Sequence, residues 1–194
     1  MATQTPSSFH PVFTAAQAAL GADPARAAAV FTAETRQLDG LHSEALIRAF
    51  KLDVDEPVAL GGQDKGPNPV ELILAALGAC QEITYRLYAD TLGIPLDRVS
   101  VTVSGRLDLR GFFAVDEGIR PGFKDINAVV KIDSPAPPDE IERLRATVDR
   151  HCPVLDILRS VTPVKTRIEH SAAVNLTCPR QQRNRRANAR AVLH

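Results

Sequence analysis

Two cysteines stand where thiol chemistry can occur. Cys80 ends the apolar run LILAALGAC, residues 72–80, and Cys152 precedes Pro153 in HCPVLDIL. The thiolate is the reactive form of cysteine, so the groups that raise or lower each thiol's pKa decide its chemistry. Proline favours the first position of a helix, which makes Cys152 the N-cap of a short helix, where the helix dipole favours an anion. The plain alternative for Cys152 is a small residue in a turn. Cys80 falls inside an apolar helix, where a free cysteine ordinarily packs as a small hydrophobe and stays protonated unless a charge is near.

Arg48 is such a charge. A strand is expected over residues 46–54, in which Leu46, Phe50, Leu52 and Val54 share one face with Arg48, because strand side chains alternate with period two. A guanidinium directed into a core is costly unless paired, so Arg48 and Cys80 explain each other. Arg36 is the further candidate, on a strand over residues 30–37 whose face with Thr32 and Glu34 reads as solvated. His151 beside Cys152 suggests a cysteine–histidine pair, but adjacent residues rarely face each other, and it reads as a surface histidine. Phe112, Phe113 and Phe123 bracket a long loop and are candidates both for an apolar substrate pocket and for plain core.

The elements around these residues follow from local signals. Asn68 is the N-cap of a long helix with Pro69 at its first position and Glu71 three residues on, and Gly93 stops it after Thr91. Apolar residues cover every side of its first half, which predicts burial all round there and emergence of the second half at Arg86 and Asp90. Before it, an Ala-rich helix over residues 13–20 reads as an arm, and LDGLHS, residues 38–43, turns between two strands. After it come alternating strands within 98–109 and 124–133, a helix over 137–151 with Ile141, Leu144 and Val148 at helical spacing, the short helix from Pro153, and a closing strand over 163–170. Strands in consecutive pairs with helices between them indicate α+β with antiparallel sheet. The expected organisation is an arm at 1–27, a folded domain at 28–170 and a basic tail at 171–194.

Composition sets the class. With 194 residues, zero formal net charge and apolar residues at 44%, the chain is an ordinary globular one, long enough to bury a core. Five arginines and no acid lie in 171–194, leaving 23 acids against 18 bases elsewhere. That tail has no aromatic residue for base stacking and reads as solvated, so no nucleic-acid partner is expected. No apolar run approaches the ~20 residues that span a bilayer, and the first residues lack a signal's basic start, so no membrane partner and a cytoplasmic location are expected. Three scattered cysteines make neither a disulfide framework nor a zinc module, and Cys178 in the tail reads as incidental.

The segment GPNPVELILAALGAC, followed some 70 residues later by HCPVLDIL, resembles the superfamily of osmotically inducible protein C and organic hydroperoxide resistance protein. The resemblance covers roughly Val30 to Glu169. It implies an intertwined α+β homodimer, with curved antiparallel sheets around a central buried helix and active sites at the interface. It also implies reduction of organic hydroperoxides without metal or other cofactor. Carried onto this sequence, Cys80 attacks the peroxide and becomes a sulfenic acid, Cys152 resolves it as a disulfide, and an external dithiol restores both thiols.

The family also uses an arginine beside the thiolate, for which Arg48 is the match and Arg36 the alternative, and a glutamate that orients it. Here the sequence departs from the pattern, because the glutamate's place ten residues before Cys80 is held by Val70. Glu71 is a candidate replacement, but nine positions place it about 180° around the helix from Cys80, and it suits the capping box. The second reading is accordingly a catalytically weak or inactive protein of the same fold that binds a ligand or senses redox state.

Overall fold

The local signals at Asn68 are realised in full. The Asn68 side chain accepts from the Glu71 amide and the Glu71 carboxylate from the Asn68 amide, both at 2.9 Å, and Pro69 opens the helix. At the other end Gly93 takes the left-handed conformation at φ 69°, which a residue without Cβ adopts freely, and the helix stops. In the computed structural model, which describes residues 9–171, this helix is α2, Pro69–Leu92.

The chain divides into two units, one ending at Val161 and the other starting at Thr162. In the first, α1 (His10–Ala22) is followed by β1 (Glu34–Asp39), β2 (His42–Ile47) and β3 (Phe50–Val54). After α2 come β4 (Arg98–Arg106), a single turn α3 (Leu109–Phe112), β5 (Asp125–Asp133), α4 (Pro138–His151) and α5 (Pro153–Arg159). The class is α+β with two antiparallel sheets, a three-stranded one in the order β1-β2-β3 and the pair β4-β5.

The core lies where α2 packs on β4, α4 and α5. Leu77, Tyr85 and Ala89 of α2 meet Leu144 and Val148 of α4 and Leu155 of α5, with Leu144 and Val148 both at 0% exposure. Each of the buried leucine and valine side chains contributes about 1.5–3 kcal/mol by leaving water. The expectation for α2 is reversed. Its second half holds most of its buried residues, among them Gln81, Thr84, Tyr85 and Ala89, whereas Ile73 in the first half is 41% exposed. The described chain covers α2 on one side only, and Ile83, at 67% exposure, marks the side left open.

The hairpin region also differs from expectation. The turn after β1 is only Gly40 and Leu41, and the single strand expected over 46–54 is two strands joined at Arg48 and Ala49, with Ile47 paired to Phe50. Arg48 therefore stands in a tight turn at φ 58° and does not point from mid-strand into a core. The polar start of β2, His42-Ser43-Glu44, hid the strand. His42 is nevertheless buried, with Nε2 at 2.8 Å from Asp53 Oδ1, and the two faces of this sheet differ less in polarity than alternation requires.

Residues 162–171 form no strand and are exposed, contrary to the expected closing strand over 163–170. Alternating apolar residues make a strand only when a ladder partner takes up their backbone groups. The basic tail and Cys178 lie outside the described residues.

Candidate functional site

Cys80 rides on α2 one turn above Ala76, and its carbonyl accepts from the Thr84 hydroxyl at 2.6 Å. Cys152 ends α4 and starts α5. Its amide donates to the Val148 carbonyl at 2.9 Å, and its own carbonyl accepts from the Asp156 amide at 3.0 Å. Because α4 and α5 both pack on α2, this joint brings the second thiol to the first. The Cys152 thiol donates to Cys80 Sγ at 3.3 Å. A disulfide needs about 2.05 Å, so closing the bond asks for little more than a small side-chain movement.

The two thiols differ in access. Cys152 is 1% exposed, whereas Cys80 is only half-buried and opens into a cavity of about 530 Å³. Cys152 does sit at the N-cap of a helix, as the sequence indicates, but its pKa moves the opposite way. Burial pushes the thiol up, its hydrogen bond to Cys80 adds to this, and the amides of Leu155 and Val154 at the helix start only partly offset the cost. An anion at this helix terminus gains less than the fully buried sulfur loses on leaving water.

Several expected members of the site lie elsewhere in the chain. Arg48 is exposed at its hairpin tip, with its guanidinium carbon 5.0 Å from the centre of the Phe50 ring, and no hydrogen bond joins it to Cys80 among the described residues. Arg36 pairs across the sheet with Glu44 at 2.9 Å, on the solvated face expected of it. Glu71 is held in the capping box, and Val70 beside it carries no acid. Phe112 and Phe113 contact each other edge to face at the surface, and neither lines the Cys80 cavity. Phe123 lines a different cavity, of about 650 Å³, against the α2 stripe of Leu77, Gln81 and Tyr85. These three phenylalanines flank an excursion from the far ends of β4 and β5 and meet other faces of the molecule.

Sequence reasoning missed the residues that do surround Cys80. Phe13 of α1, Tyr88 of α2 and His151 of α4 line its cavity with Ile83 and Pro153. His151, expected merely at the surface, is exposed yet stacks on Tyr88 with ring centres 5.2 Å apart. Tyr88 was detectable in principle, since eight positions along a helix return to within about 80° of Cys80. Phe13 had no local signal, because only tertiary packing brings α1 against α2.

The model of a family described as OsmC-like protein matches residues 62–167, a segment that holds both Cys80 and Cys152 but neither Arg36, Arg48 nor Phe13. No curated protein matches the chain. Among solved structures, an OsmC-like protein from Mycoplasma pneumoniae is similar at 22% identity and a TM-score of 0.60, covering 69% of this chain and 89% of its own. An organic hydroperoxide resistance protein OsmC from Legionella pneumophila is similar at 28% identity and a TM-score of 0.53, over 68% of this chain and 92% of its own. An organic hydroperoxide resistance protein from Elizabethkingia anophelis matches at 19% identity and a TM-score of 0.52, over 68% and 90% respectively.

Proposed function

The chain belongs to the OsmC-like protein family, and from that premise we propose that it is a thiol-dependent peroxidase for organic hydroperoxides. The observation that carries the proposal is the pair of sulfurs 3.3 Å apart, one facing a cavity and the other enclosed. The accessible Cys80 thiolate attacks the outer peroxide oxygen, so that an S–O bond forms, the O–O bond breaks, and the departing alkoxide takes a proton to become an alcohol. Cys152 then attacks the sulfenic sulfur, the S–S bond forms and water leaves. An external dithiol reduces the bridge by two exchange steps and is itself oxidised to a disulfide.

A homodimer belongs to this proposal. The apolar residues left open on α2 and on the β1–β3 sheet form the kind of surface that a second copy covers. Such an assembly supplies a cation at Cys80, which the described residues of one chain do not place there, with Arg48 of the exposed hairpin as the proposed donor. The second reading, a ligand-binding or redox-sensing protein with little turnover, is favoured by Val70 and by the engagement of Glu71 in capping.

Titrating thiols before and after one equivalent of alkyl hydroperoxide separates the two. Rapid loss of two of the three thiols supports the peroxidase, and slow or absent loss supports the binder. In the peroxidase, Cys80→Ser abolishes consumption with a dithiol, while Cys152→Ser leaves Cys80 oxidisable but unable to form the internal bridge.

A further inference from the structure

We infer that the Cys80 cavity selects aryl-substituted hydroperoxides by an aromatic wall, and that Phe13 of α1 is its specificity-determining residue. This rests on the reading of Cys80 as the thiol that attacks the peroxide. Three rings from three helices form the wall. Phe13 meets Tyr88 edge to face with centres 5.4 Å apart at 72°, and Tyr88 stacks on His151 at 5.2 Å and 25°. All three line the same cavity as Cys80.

The remaining chemistry of the cavity favours an apolar guest. Among the described residues of one chain, no lysine or arginine lines it, and the Thr84 hydroxyl is already committed to the Cys80 carbonyl. Its volume of about 530 Å³ is within the range of small-molecule sites and accommodates a phenyl-bearing substrate. Rings that already pair edge to face and face to face leave further edges and faces for an aryl group, whereas hydrogen peroxide or a small alkyl peroxide offers them little.

Phe13 is the residue of this wall that comes from the N-terminal helix α1. It lies outside the segment that matches the family, and it is half-buried while its neighbour Val12 is 74% exposed. The ring attaches α1 beside the cavity, helped by the His10 amide, which donates to the Asp90 carboxylate at the far end of α2. An arm with no fully buried residue thus contributes one side chain to the reaction site.

The test compares cumene hydroperoxide with tert-butyl hydroperoxide in the full chain and in Phe13→Leu, which keeps apolar bulk but removes the ring. The ratio of kcat/KM values falls about two- to tenfold, the size of one aromatic contact, through a higher KM for the aryl substrate with kcat retained. Val12→Ala leaves the ratio unchanged. An unaltered ratio in Phe13→Leu, or an equal fall in Val12→Ala, overturns the inference.

A second measurement needs no peroxide. The ratio of rates at which N-phenylmaleimide and N-ethylmaleimide modify Cys80, read by peptide mass, falls in Phe13→Leu if the wall binds aryl groups. Should the unaltered chain turn over no hydroperoxide while this ratio still depends on Phe13, the peroxidase reading fails and the aryl site stands. If the ratio ignores Phe13, the aryl site is lost even when turnover is normal.

Discussion

The β4–β5 pair and the β1–β3 sheet are both antiparallel ladders, yet the chain finishes them differently. Val99 and Val103 of β4 and Ile126, Val130 and Ile132 of β5 pack against the core built on α2, α4 and α5. Phe50 and Leu52 of β3, by contrast, remain 64% and 37% exposed. The first region closes a core within one chain and brings the two thiols together, although α2 keeps an open side at Ile83. The second carries Arg48 and an uncovered apolar face, so the geometry of the thiols is a property of one chain, whereas their proposed activation depends on what covers the hairpin.

This contrast can be broken at its strong end first. Leu144→Ala in the self-covered half removes a fully enclosed side chain and costs about 2–5 kcal/mol, read as a fall in the urea midpoint. If the mutant keeps its midpoint, the helical side is not the stabilising half. The paired substitution Phe50→Ser with Leu52→Ser in the hairpin has the opposite signature. It shifts the proposed dimer to monomer in light scattering and lowers peroxide turnover, while oxidation of the monomer still links Cys80 to Cys152.

Smaller effects sharpen the same comparison. Asn68→Ala removes the cap that starts α2 and costs about 1 kcal/mol in denaturant unfolding, with no change in oligomeric state. The enclosed thiol gives a pH signature as well. Burial holds the Cys152 pKa above its ordinary value of 9.0, so the folded chain keeps a proton that the unfolded chain loses. Stability of the reduced protein from this group is therefore complete below that value and declines as pH rises above it. Cys152→Ala flattens the decline, and an equal slope in both proteins would show that the thiol is not the source. Arg36→Ala, which breaks an exposed pair on the hairpin, leaves the melting midpoint unchanged within error.

Much of this was legible because the signals are local. The cap, proline and glycine that bound α2, the Cys-Pro joint between α4 and α5, and the alternation of β4 and β5 all act over a few residues. The placement of Arg48 was not legible for the same reason in reverse. Its stretch alternates well enough to pass for one strand, and only pairing with β1 and β3 shows that β2 ends at Ile47. The buried half of α2 was likewise misassigned, since an apolar run states that burial is favourable but not which neighbours exist to provide it.

What the sequence determined by itself was the class of elements, the two thiols worth watching and the family whose pattern they share. Only the tertiary structure decided that the sulfurs stand 3.3 Å apart, that Cys152 is the enclosed one with a raised pKa, and that Phe13 joins Tyr88 and His151 beside Cys80. The physical reason is common to all three. Propensity, capping and alternation act between near neighbours, whereas burial, desolvation and ring contacts depend on which distant segments the folded chain brings together.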